Sequence, residues 1–158
     1  MGFLAGKRAL IVGVASDRSI AWGIAEAMHR QGAELAFTYQ NDKLKSRVDK
    51  IAQETGSKIV LPLDVSSDDE ILRMYESLAG HWPSFDILVH SVAYAPRDQL
   101  VGRYLDTVTR EGSHIAHDIS SHSCPALAKY GRHLLPPTAP LLTPTHLGAA
   151  PAIPHSNA

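Results

Sequence analysis

Short apolar runs alternate with segments whose apolar residues recur every third or fourth position, and this alternation organises the first 91 residues. Ala9-Leu10-Ile11-Val12 is a continuous apolar run closed by Gly13, which suits a strand buried on both faces of a parallel sheet. Ser19 then caps a predicted helix in which Ile20, Ile24, Ala27 and Met28 fall at helical spacing, with Gly32 as its stop. The unit repeats. Residues 34–39 read as a second strand, and Asn41-Asp42 opens a helix with Leu44, Val48, Ile51 and Ala52 inward, ending near Gly56. Residues 58–63 read as a third strand. Ser67, followed by Asp68, Asp69 and Glu70, offers a cap and an acidic first turn for a third helix, packed through Leu72, Met74, Tyr75 and Leu78. Residues 86–91 complete a fourth strand. Strands and helices in strict alternation imply an α/β fold, a doubly wound parallel sheet with helices on both faces and right-handed crossovers.

The pattern fades after residue 123. Seven of the chain's ten prolines (Pro125, Pro136, Pro137, Pro140, Pro144, Pro151 and Pro154) fall in residues 124–158, whose only formal charges are Lys129 and Arg132. Helical salt-bridge pairs and clear amphipathic spacing are both missing there. Two stretches are therefore expected: an ordered α/β portion, 1–123, and a divergent proline-rich tail, 124–158.

Composition narrows the function. At 158 residues the chain holds one core. Fifteen Lys+Arg against sixteen Asp+Glu give a formal charge of -1, which offers no excess cation to bind a phosphate backbone, so nucleic acid is not expected as a partner. No apolar run approaches the ~18 residues of a membrane span. The single Cys124 cannot form an internal disulfide, which fits a reducing, cytoplasmic setting, and the amino terminus reads as no targeting signal.

In a doubly wound sheet, ligands bind beyond the carboxyl ends of the strands. After the first strand, Gly13 leads through a short loop to the capped helix at Ser19, whose unbonded amides and positive dipole end suit a pyrophosphate. The spacing is not G-x-G-x-x-G, and an ordinary strand-to-helix loop explains it equally well. Gln40 follows the second strand, where its amide can bond ribose hydroxyls or merely face solvent. Asp64-Val65 closes the third, placing a carboxylate either beside an adenine amino group or in a helix cap. His90-Ser91-Val92-Ala93 closes the fourth with small side chains where a nicotinamide ribose would lie.

Several segments together carry a resemblance: residues 1–8, Gly13 to Gly23, Gly32 to Leu44, Asp64-Val65, Val89-His-Ser91, Ala95-Pro96, Thr109-Arg-Glu-Gly112 and Ile115-Ala-His-Asp-Ile-Ser120. They closely resemble the bacterial NADH-dependent enoyl-[acyl-carrier-protein] reductases of the short-chain dehydrogenase superfamily. The resemblance continues more weakly through Leu141-Leu142-Thr143 and Ala152-Ile153-Pro154. It implies a Rossmann-like sheet, with Gly13, Ser19, Ile20, Gln40, Asp64, Val65 and Val92 lining an NADH site and Ala95 touching an acyl substrate. The implied reaction is hydride delivery to a trans-2-enoyl thioester carried on acyl-carrier protein, a step of fatty-acid biosynthesis.

The same resemblance exposes departures. The family places its chemistry on two tyrosines, and on a lysine seven residues after the second. Here the tyrosine positions read His146 and Ser156, and the lysine would fall beyond Ala158. A serine hydroxyl is far more basic than a phenol and shorter in reach, so a chain altered in this way is expected to be inactive alone. Tyr39-Gln-Asn-Asp-Lys43 fits the generic superfamily Y-x-x-x-K spacing, but at the wrong strand end, and is read as coincidence. The resemblance implies a fifth strand near residues 141–146, central to the sheet, where Pro140 and Pro144 remove backbone donors and should weaken parallel pairing. With the sheet truncated after about this strand, the family's homotetramer is not expected. His114, His117, Asp118 and His122 recur on one helix face, but three explanations need no metal: a polar face, packing histidines and the family-like segment itself. Two other readings remain: a non-catalytic nucleotide-binding or interaction module, and a degraded or misread gene product.

Overall fold

The computed structural model describes residues 2–145, and the positions of His146 and Ser156 lie outside the described residues. The chain runs β1 (Arg8–Val12), α1 (Ile20–Arg30), β2 (Glu34–Tyr39), α2 (Asp42–Glu54), β3 (Val60–Pro62), α3 (Asp68–Ala79) and β4 (Ile87–His90). A 3₁₀ turn (Arg97–Leu100), α4 (Tyr104–Thr107), α5 (Arg110–His117), a π-helical turn (Asp118–His122), α6 (Ser123–Gly131) and β5 (Leu141–Leu142) follow. The strands form one five-stranded sheet in the order β3-β2-β1-β4-β5, every pair parallel. The doubly wound α/β class is thus realised, with the strand order reversing direction at β1 and β4.

Alternation along the central strands sorts the core into two layers. Leu10, Ala36 and Leu88 join Ile71, Met74, Tyr75 and Leu78 of α3 and Ala126 and Leu127 of α6 on one face. Ala9, Ile11, Phe37 and Val89 join Ala21 and Ala25 of α1 and Val48, Ile51 and Ala52 of α2 on the other. Polar caps fix where the helices start: Ser19, Asn41 and Ser67 each accept a hydrogen bond from a first-turn amide.

Two predicted faces are corrected. In α1 Ile24 and Met28 pack against the core as expected, but Ala27 is exposed, Ile20 is 67% exposed, and the fully buried residues are Ala21 and Ala25. Small side chains sit where the helix packs on the sheet, and Ile20 is the first residue of the helix. In α3, Ile71 is buried and Leu72 is 41% exposed. The third and fourth strands also pair over fewer residues than their apolar runs span.

α6 crosses the change in composition at residue 124, and Ala126, Leu127 and Leu134 belong to the core. The Tyr75 hydroxyl donates to the Leu127 carbonyl at 2.9 Å. Gly131 is required there because a Cβ would run into the Tyr75 ring. β5 forms despite its prolines, since Pro140 and Pro144 flank the two paired residues instead of interrupting them. The Pro140 carbonyl itself accepts from the Leu88 amide at 3.2 Å.

Candidate functional site

The strand ends on which the sequence argument rests surround a cavity of about 460 Å³. Leu63 and Val65 enter it from beyond β3, Thr38 and Gln40 from β2, Gly13 to Ala15 from β1, and Ser91 to Tyr94 from β4. Ile115 of α5 and Ile119 of the π-helical turn form the opposite wall. At ~4.8 Å per neighbouring strand, four strand ends span about 14 Å, the reach of an extended dinucleotide and not of a mononucleotide alone.

Gly13 sets the depth of this cavity. Its φ of 107° lies in the left-handed region, and a Cβ would collide with the Ser91 carbonyl, so β1 and β4 approach here only because the residue is glycine. The chain then turns into α1 through Ser19, whose Oγ donates to the Ser16 carbonyl at 2.7 Å and accepts from the Trp22 amide at 3.3 Å. That bond leaves the amides of the first helical residues directed out of the helix end, an arrangement that favours an anion.

Of the residues singled out from sequence, Gly13, Gln40, Val65 and Val92 line the cavity. Ser19 stands behind it as the cap, and Ile20 is exposed at the start of α1. Asp64 Oδ1 accepts from the amide and the hydroxyl of Ser66 at 2.9 and 2.7 Å, so its carboxylate closes a local turn. The cap of α3 is Ser67. Ala95 is half-buried in the loop that follows Tyr94. Sequence reasoning missed Thr38, Ile115 and Ile119 as wall residues. The last two stand four positions apart, a spacing that marks a shared helix face.

Behind the cavity floor, His90 is 2% exposed and links three elements. Its Nε2 lies 2.7 Å from Ser123 Oγ and its Nδ1 3.2 Å from Thr143 Oγ1. Ser123 Oγ donates its proton to the Ile119 carbonyl at 2.6 Å, so it accepts from His90 and the imidazole carries its proton on Nε2. Burial pushes the His90 pKa below its usual range, which favours this neutral form.

His114, His117, Asp118 and His122 share an open cleft with Ser113 on the far side of the same helical segment. Among the described residues no group of three His, Cys, Asp or Glu side chains is placed to hold a metal ion.

A family model described as enoyl-(acyl carrier protein) reductase matches residues 13–158. The chain belongs to this family. It is 59% identical over 157 residues to the NADH-dependent enoyl-[acyl-carrier-protein] reductases FabI of Salmonella typhimurium and Escherichia coli, covering 99% of this chain and 60% of each relative. The chain therefore spans about three-fifths of the length of these curated relatives. The solved enoyl-[acyl-carrier-protein] reductase (NADH) of Aquifex aeolicus superposes with a TM-score of 0.94 at 46% identity, covering 98% of this chain and 61% of that one. The reductase of Anaplasma phagocytophilum, solved in complex with NAD, superposes with a TM-score of 0.92 at 38% identity over 98% of this chain and 60% of that one. The doubly wound fold expected from the residue pattern and the family implied by the resemblance are those observed. Among the described residues no helix is long and apolar enough to cross a membrane.

Proposed function

We propose that this chain is the NADH-holding portion of an enoyl-[acyl-carrier-protein] reductase, and that its cavity binds the dinucleotide across the ends of β3, β2, β1 and β4. The observation that carries the reading is Gly13, whose missing Cβ keeps open the bend between β1 and the helix end beneath the cavity. Its backbone and the first-turn amides of α1 would face the pyrophosphate. Gln40 and Val65 would meet the adenosine end, and Val92 the nicotinamide ribose. Ala95 stands next along the same loop, toward an acyl chain. When bound, NADH supplies the hydride for reducing a trans-2-enoyl thioester of acyl-carrier protein.

Gln40 favours NADH over its phosphorylated form because it brings no positive charge to the ribose. The nearby Lys45 is drawn away, its Nζ 2.8 Å from Asp49 and over the Tyr39 ring. The resemblance puts His146 and Ser156 at the family's tyrosine positions, and neither side chain has a phenol's acidity and reach, so this chain is expected to reduce no enoyl thioester.

Titration calorimetry with NADH, NADPH and ADP-ribose tests this. Measurable NADH binding that is lost in Gly13→Val, with the circular dichroism of the variant unchanged, supports the reading. Absence of binding to the folded wild type sinks it, and stronger NADPH binding would reassign Lys43 and Lys45 to a 2′-phosphate. Oxidation of NADH by a crotonyl thioester, abolished by Gly13→Val, would overturn the expectation of inactivity.

A further inference from the structure

The geometry points to Ser120 as a positioning residue that holds the β4 side of the cavity in shape for the nicotinamide end of its ligand. This inference rests on the dinucleotide reading above. After β4 the Ser91 amide still bonds the Val12 carbonyl of β1 at 2.8 Å, but from Val92 onward the chain leaves the sheet as an irregular segment, so the backbone groups of Tyr94 find no partners in a ladder. Ser120 supplies them. Its Oγ accepts from the Tyr94 amide at 2.9 Å and donates to the Tyr94 carbonyl at 3.0 Å. One hydroxyl thus satisfies both backbone groups of one residue, across 26 positions of sequence.

The π-helical turn explains why Ser120 is available. An ordinary helix presents one narrow stripe to a neighbour, with residues three or four apart. The wider turn at Asp118–His122 lets successive residues serve different neighbours. Ile119 lines the cavity and Ser120 holds Tyr94, while Ser123, the first residue of α6 after the turn, meets His90 at the end of β4. Ser120 itself does not line the cavity, so it acts through the loop. Its loss should be felt where Val92, Ala93 and Tyr94 form the wall, and not at Gln40 and Val65, which belong to the turns after β2 and β3.

Ser120→Ala and Ser120→Thr in the full 158-residue chain provide the test, read by two measurements. Amide hydrogen exchange reports the bond without any ligand: exchange at Tyr94 should accelerate about tenfold in Ser120→Ala and return toward wild type in Ser120→Thr, which keeps the hydroxyl. Calorimetry reports the consequence: NADH should bind about tenfold more weakly to Ser120→Ala, while ADP-ribose, which lacks the nicotinamide, binds as before. Equal weakening of both ligands would mean general loosening and would overturn the positioning role, as would unchanged Tyr94 exchange. A wild type that binds neither ligand overturns the dinucleotide reading and this inference with it. A wild type that binds both, with NADH affinity unaffected in Ser120→Ala, overturns the inference alone.

Discussion

β1 and β5 flank the same strand, β4, yet they are built differently. Residues 9 to 12 of β1 are at most 2% exposed, with helices over both faces, and the strand continues into the glycine bend that shapes the cavity. β5 pairs over two residues, Leu141 and Leu142, which are 49% and 41% exposed. Both strands use parallel hydrogen bonds to β4, so the ladder is not what separates them. Burial is. A backbone pair forms wherever two extended segments meet, but the apolar area removed from water supplies most of the free energy.

The register pair Leu88 and Leu141 breaks or sharpens this comparison most directly. Leu88 is fully buried between α3, α6 and the neighbouring strands, so Leu88→Ala should cost about 3 kcal/mol. Leu141→Ala, across the same ladder, should cost below about 1 kcal/mol. Urea unfolding of the two variants measures the difference, and equal losses would show that β5 is packed as tightly as the central strand β4 beside it.

Gly131 locates where tight packing stops. It lies past the compositional break, yet a Cβ added to it would run into the Tyr75 ring. Gly131→Ala should force that buried ring aside and cost about 2 kcal/mol, measured as a lowered thermal midpoint. A neutral substitution would mean that α6 is held loosely. Tyr75→Phe, which removes only the bond to the Leu127 carbonyl, should cost about 1 kcal/mol.

Residues whose environment is set within one element were legible from sequence. The apolar runs of β1, β2 and β4 and the caps Ser19, Asn41 and Ser67 needed only local spacing to be found. Choices between apolar neighbours were not. Ile71 and Leu72 satisfy the same helical period within one step, and only the direction of the sheet decides which is buried. Ala21 and Ala25 carry little hydrophobic signal, although a helix lying close to a sheet requires small residues there. The cavity divides in the same way. Gly13, Gln40, Val65 and Val92 follow strand ends and were found by that rule, whereas Ile115 and Ile119 come from a helical segment folded back over the sheet. The absence of acidic residues and abundance of prolines after residue 124 concealed α6, because its stability comes from packing on α3 and not from surface ion pairs.

The smallest expected effect concerns pH and joins the two regions, because His90 at the end of β4 reaches both Ser123 at the start of α6 and Thr143 just past β5. Burial is the main cause of its lowered pKa, which means that the folded state binds a proton less readily than the unfolded chain, where histidine titrates near 6.5. The unfolded state therefore holds more protons between the two values, and stability rises with pH in that window. The contribution is fully present above about pH 6.5 and is lost as pH falls toward the folded value. Protonation puts a hydrogen on Nδ1, facing Thr143 Oγ1, and the threonine must turn its own proton away to accept it. The β4–β5 side should consequently loosen before the β1 side as the solution is acidified. Hydrogen exchange followed from pH 7.5 to about 5.5 should show the Leu88 amide, which bonds Pro140, losing protection ahead of amides that β1 donates or accepts. His90→Gln keeps hydrogen-bonding capacity but cannot take up a proton in this range, and it should remove the difference. Persistence of the same pH dependence in that variant would assign it to other groups and leave His90 as a neutral link between the strands.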